Sequence, residues 1–411
     1  MLYRRLRLLL GCLAVTAVAI PSAGRPASSA GSAVPIDAPL DPPTVRYFIE
    51  CQIEEGGVLK GSETAEFVNR GKQALSRLAL AWSGRADPSF ELTVNGRAAT
   101  GPETSTDDAP SPLILVDLPQ VVPPGGKVTL QVRFSKNFRL DRRGRVNLLA
   151  WHPRVWWGRE THDDFAVKVR PPAGYAFAAT GPLNPSTGHY SARGVRSFAL
   201  ILAQGHDVME ARAGDVVVRA IHTKTGAQCS RLLLDTAVDV IQFYRARFGF
   251  YPQRSLTIIP GGDQPVGGYP VATGIIVVHG QDKLDAKPAT FWKWITAHEI
   301  GHQYWLEHVL SADRPGEWGW LMIGLGIYAD REFCRARGIT DQHRQFFDEY
   351  VAAVRKGIDT TVDLTPDQLD EVTWDFNNIV RHGKGFSIVS ALEVTMGHDP
   401  FERAYARVLR E

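Results

Sequence analysis

The sequence predicts an α+β protein: an antiparallel β domain of saddle or sandwich type over residues 44–222, then a mostly α domain over residues 223–411. Three observations lead there. Apolar residues alternate with period two through the first half, and recur at helical spacing through the second. No convincing long helical pattern occurs between about residue 40 and residue 222. A chain of 411 residues is also long enough for two or three separate cores.

The first 24 residues read as a secretory signal. Met1–Arg7 is a basic head, Leu8–Ile20 an apolar run, and Pro21–Gly24 a small-residue exit. The run is shorter than a comfortable membrane span. Residues 25–43, rich in Ala, Ser, Pro and Gly, read as a flexible leader. The expected location is therefore secreted or periplasmic, or membrane-anchored where the signal is not cleaved. Arg4, Arg5 and Arg7 outweigh the formal net charge of +2, so the remainder carries no broad basic surface and nucleic acid is not an expected partner. No transmembrane span is expected beyond the signal segment.

Val45, Tyr47, Ile49, Cys51 and Ile53 open the β domain, followed by Leu78, Leu80 and Trp82. Asn95-Gly96 is a tight-turn pair. Val128 to Phe134, Phe165 to Val169 and Val216 to Val218 supply further strands. The pattern then changes. Leu233, Ala237, Val240, Ile241, Tyr244 and Phe248 recur at helical spacing, and Gly249 ends the run. Short strands are expected over 255–259 and 274–278, and helices over 289–309, 319–337, 341–356, 383–396 and from 399 to the end. Cys51, Cys229 and Cys334 lie at no metal-ligand spacing and read as buried small apolar residues.

The helix over 289–309 contains His298-Glu299-Ile300-Gly301-His302. Histidines four apart share one helical face, so both imidazoles can reach one zinc ion at about 2.0–2.1 Å. Glu299 can then stand beside water at that ion and take its proton. Five tryptophans, at 292, 294, 305, 318 and 320, crowd this helix and the next, and read mainly as packing.

The order of a β domain, then His298-Glu-Ile-Gly-His-Gln-Tyr-Trp305, then Trp320-Leu-Met-Ile-Gly-Leu325, then Gly383-Lys384-Gly385 resembles the gluzincin aminopeptidases of the membrane alanyl aminopeptidase and leukotriene hydrolase family. The resemblance runs from about residue 40 to the end. It implies a β saddle, a thermolysin-like metallopeptidase domain, one Zn2+, and hydrolysis of peptide or protein substrates.

The chain departs from that family at four places. Ile323 stands where the resemblance puts a third zinc ligand, a Glu. His382 stands where it puts a catalytic Tyr, and would donate to the oxyanion in its place. Gly267-Gly268-Tyr269-Pro270-Val271 lacks the Glu that holds a substrate amino group. Leu306 replaces a Gly. Among replacements for the missing ligand, Glu317 ranks first, just ahead of the next helix. His308 and Glu307 fall on other faces of an unbroken helix, and Asp330 lies about 10 Å beyond Ile323 along the helix axis. Two functions follow. One is a secreted zinc metallopeptidase with Glu299 as base, His382 as second catalytic residue, and His298, His302 and Glu317 as metal ligands. The alternative is a catalytically degenerate relative that binds peptide or protein.

Overall fold

A computed structural model describes residues 42–82, 90–105 (only the backbone for 100–105), 113–262, 267–310, 319–340, 342–359, 361–362 and 379–410. The signal, nearly all of the leader, Glu317 and Trp318 lie outside the described residues.

The alternating segments form the expected strands. Arg46–Glu54 buries Tyr47, Ile49, Cys51 and Ile53 and exposes the residues between them. It lies inside an eight-stranded sheet, between Val58–Val68 and Asp163–Arg170. The first pairing is antiparallel, and the second is parallel, with Tyr47 opposite Phe165. The parallel pair corrects the expectation of a purely antiparallel domain, since alternation reports a strand's faces and not its direction. A buried carboxylate holds the pair together at its start. Asp163 Oδ1 accepts from the Val45 amide at 3.0 Å, and Oδ2 accepts from Arg154 at 2.9 Å. The Tyr47 and Phe165 rings stack at 4.9 Å. The expected turn is present, with Asn95 and Gly96 both at positive φ.

A four-stranded sheet containing Leu75–Ala81 and Leu113–Val122 contributes Leu78, Leu80 and Val116 to the same core. Trp82, Trp151 and Trp157 are fully buried there. A three-stranded sheet of Tyr175–Ala179, Leu200–Gln204 and Arg145–Leu148 faces the second half of the molecule.

That half is built on a five-stranded mixed sheet: Asp207–Ala213, Val216–His222, Ser255–Pro260, Ile275–His279 and, at its edge, Gly267–Ala272. Asp207–Ala213 and Val216–His222, which the sequence groups with the β domain, therefore pair into this second sheet. Alternation marks them as strands but carries no information on their partners. Helix α1 (Ala227–Phe248) covers one face, packing Leu233, Ala237, Val240 and Ile241 on Ile258, Ile276 and Val278. The other face packs Ile259, Ile275 and Val277 against Ala176, Ala178, Ile201 and Ala203.

Among the described residues, five further α-helices follow: α2 (Ala289–Gly301), α3 (Gly319–Ala336), α4 (Gln342–Arg355), α5 (Gly385–Met396) and α6 (His398–Val408). A single π turn, Val380–Lys384, leads into α5. Helix α2 stops at Gly301, eight residues short of the expected end, and Leu306 takes φ +124°. Such a backbone cannot continue a helix. Cys51, Cys229 and Cys334 are buried free thiols, as expected. Among the described residues, no helix is long and apolar enough to cross a membrane.

Candidate metal centre

Helix α2 is buried around its circumference from Ile295 to Gly301. Trp292, Ile295, Ala297 and Ile300 are buried, and so are His298, Glu299 and His302. A helix of this kind is held by its surroundings rather than by one amphipathic face. The segment after it is tethered at successive residues. Gln303 accepts from the Gly274 amide at 2.6 Å, and the Tyr304 hydroxyl donates to the Phe250 carbonyl at 2.6 Å. The Trp305 indole donates to the Tyr405 hydroxyl.

Close backbone approaches set the neighbours of these histidines. A Cβ on Gly301 would lie 3.1 Å from the Gly326 carbonyl of α3, and one on Gly326 would lie 3.2 Å from His302 Nδ1. A Cβ on Gly324 would lie 2.7 Å from the Gly385 carbonyl. Glycine is therefore what lets α3 press against both α2 and α5.

His298 Nε2 and His302 Nε2 are 3.2 Å apart. Two nitrogens bound tetrahedrally to one zinc at about 2.0–2.1 Å stand roughly 3.3 Å apart. His298 Nδ1 is 2.7 Å from Asp330 Oδ2, so its N–H donates to that carboxylate. Its Nε2 lone pair is then left facing His302, the tautomer a metal ligand needs. Burial holds the His302 pKa well below the usual imidazole range, and the His298 and His382 rings act in the same direction. For His298, burial works against the charged form, but the bond and charge of Asp330 outweigh it and raise the pKa.

Glu299 is fully buried, and its Oε2 has no hydrogen-bond partner among the described residues. Burial pushes its pKa up to about 7, with His298 opposing and Asp330 adding to the rise. An unsatisfied buried carboxylate oxygen costs about 1–3 kcal/mol or more. The side chain lies under the edge strand, where a Cβ on Gly268 would come within 2.7 Å of Glu299 Oε1. The Gly-Gly-Tyr segment that lacks the amino-holding Glu is thus an edge strand directly over Glu299.

The other sequence candidates separate clearly. His382, on the π turn, is brought in: its ring is 6.0 Å from that of His298 and stacks on Phe346. π turns recur at functional sites because the extra residue re-aims side chains. His308 is not brought in, although α2 breaks early. Its Nε2 donates to the Leu409 carbonyl at 3.0 Å. Glu307 bonds Arg196 at 3.2 Å and Thr273 at 2.6 Å, tying the end of the motif to the β half. Asp330, set aside by its distance from Ile323 along the helix, is drawn into the centre as the partner of His298. Seven residues beyond Ile323, Asp330 falls on the same helical face, which was the available signal. His343 of α4, which donates to Asp330 Oδ1, carried no signal. Trp292 and Trp305 are fully buried and Trp320 nearly so, which fits a packing role.

Part of a zinc donor set is present, and among the described residues no third His, Cys, Asp or Glu joins the two histidines at ligand distance. Two neutral-capable imidazoles converge at the right separation, one is oriented by a carboxylate, and a carboxylate of perturbed pKa stands beside them.

The fold is similar to that of solved M1 zinc metallopeptidases. A mutant of the Deinococcus radiodurans enzyme bound to a Tyr-Ser-Ala substrate aligns with a TM-score of 0.62 at 17% identity, over 89% of this chain and 87% of that one. A two-domain M1 zinc metallopeptidase mutant bound to L-tryptophan aligns with a TM-score of 0.63 at 16% identity, over the same shares. No family model and no curated protein matches the chain.

Proposed function

We propose that this protein is a secreted or periplasmic zinc metallopeptidase that hydrolyses peptide bonds. The observation that carries the reading is the pair of Nε2 atoms 3.2 Å apart with the buried Glu299 carboxylate beside them. His298 and His302 would hold the ion, with Glu317 as the third ligand. Bound zinc would polarise the peptide carbonyl and ease the ionisation of water.

The chain's own residues supply the rest. Glu299, with a pKa near neutrality, takes the proton from water and passes it to the leaving amine. His382 donates a hydrogen bond to the developing oxyanion. The open edge of Gly267–Ala272 lies over Glu299 and offers backbone groups to an extended peptide. With no acid on that strand to hold an amino terminus, selectivity for free N-termini is not expected.

A degenerate, peptide-binding relative would have no use for a buried carboxylate oxygen left without a partner among the described residues, which supports the hydrolase reading. The test is metal analysis and peptide-library hydrolysis of wild type and Glu299→Gln. The expected result is about one zinc per chain in both. Chelator-sensitive cleavage should be present in wild type and reduced about 10²–10⁴-fold in the variant. Metal-free wild-type protein without hydrolytic activity would overturn the proposal.

A further inference from the structure

Helix α4 belongs to none of the motifs discussed above and is largely solvated. Its buried residues are His343 and Ala353. A mostly exposed helix thus places one of its two buried side chains as an imidazole, and that imidazole donates from Nε2 to Asp330 Oδ1. The other oxygen of the same carboxylate accepts from His298 Nδ1 at 2.7 Å. Asp330 is fully buried on α3, with its charge stabilised by the two histidines against the cost of burial.

We infer that His343 is a positioning residue of the metal centre: it fixes the plane of the Asp330 carboxylate and, through it, the direction in which His298 presents Nε2 toward His302. This rests on the reading of His298 and His302 as zinc ligands. The physical argument is geometric. A carboxylate held at one oxygen can swing about its Cβ–Cγ bond, whereas one held at both oxygens by groups on different helices cannot. Asp330 comes from α3, His298 from α2 and His343 from α4, so three helices fix one imidazole. A site without the usual carboxylate at position 323 depends more heavily on the orientation of the ligands it retains.

A rival arrangement uses the same atoms. The ligand atoms of Asp330, Cys334 and His343 lie within 4.8 Å of one another. They could hold an ion themselves, in which case His343 would be a ligand rather than a support. The hydrogen bond between His343 and Asp330 favours the positioning role, because it already occupies the facing atoms of both.

The test uses the full chain as wild type, His343→Leu and His343→Gln, stripped of metal and titrated with zinc against a chromophoric chelator. His343→Leu should bind zinc about 10- to 100-fold more weakly with unchanged circular dichroism. His343→Gln retains an N–H donor at similar reach and should restore most of the affinity. In the metal-free protein, the downfield Nδ1 proton resonance of His298 should shift or broaden in the Leu variant and return in the Gln variant. If the Leu variant does not fold, His343→Asn, too short to reach Asp330, takes its place.

Unchanged zinc affinity and an unchanged His298 resonance in the Leu variant would overturn the inference. So would a second metal equivalent in wild type whose cobalt form shows a thiolate band that is lost in Cys334→Ser. Wild-type protein that binds no zinc would instead remove the proposed function, and the His298 resonance alone would then decide whether His343 positions that ring.

Discussion

Asp330 Oδ2 lies 2.7 Å from His298 Nδ1, across the α2–α3 contact, and both side chains are buried. The separation orients the ring: the imidazole donates its Nδ1–H to the carboxylate and turns Nε2 toward His302. Asp330→Asn keeps the shape of the side chain but removes the charge and allows the amide to present its NH₂ face. Zinc affinity should fall by about 10- to 100-fold with little loss of secondary structure. Competitive zinc titration checks this, and an unchanged dissociation constant would show that Asp330 serves only the packing of α3.

Gly268 predicts an effect on turnover rather than on binding. A Cβ there would meet Glu299 Oε1 and the Val277 carbonyl oxygen at 2.7 Å, and Glu299 Cγ at 2.8 Å. Gly268→Ala should displace the Glu299 carboxylate and lower kcat about tenfold or more, with zinc content unchanged. Steady-state kinetics beside metal analysis separates the two, and a variant with wild-type kcat would show that the edge strand yields instead of the carboxylate.

Leu306 occupies a backbone conformation, φ +124°, that L side chains rarely adopt. Strain of this kind costs on the order of 1–3 kcal/mol. Leu306→Gly should therefore change stability by less than about 1 kcal/mol, because relief of strain offsets the lost side chain and the added chain entropy. Chemical denaturation measures it, and a loss above about 3 kcal/mol, typical of truncating a well-packed leucine, would contradict the strain.

Glu307 predicts a pH effect on stability. Burial raises its carboxyl pKa, against the opposing pull of Arg196 and Thr273, with Glu160 adding to the rise. A carboxyl whose folded pKa lies above its unfolded one contributes stability at low pH that is lost as pH rises through the folded value. Wild type should thus lose stability relative to Glu307→Gln as pH is raised from about 4 toward neutrality. Melting temperatures of both proteins across that range test it, and parallel curves would refute it.

The β half and the helical half were legible from periodicity because burial repeats every two or 3.6 residues, whatever the distant partners. Tyr47, Ile49 and Cys51 are buried as their alternation requires. What periodicity could not convey was pairing: the parallel partnership of Arg46–Glu54 with Asp163–Arg170, and the placement of Val216–His222 in the second sheet. The convergence of His298 and His302 followed from spacing on a single helix. The contribution of Asp330 depended on how α3 crosses α2, and that of His343 on where α4 lies, neither of which is encoded locally. The early end of α2 was not legible, because no glycine or proline stands between His302 and Val309 to mark it.

The alanines at 176, 178 and 203 have a mechanical consequence. They seat the three-stranded sheet closely on Ile275 and Val277, on the opposite face of the strands that α1 covers. Interlocked with Ile201, Ile259, Ile275 and Val277, these short side chains resist the sliding of one sheet over the other. Any breathing that admits a polypeptide to Glu299 must then come from the helical side of the edge strand, and a bulky replacement such as Ala178→Leu would wedge the two sheets apart rather than loosen them.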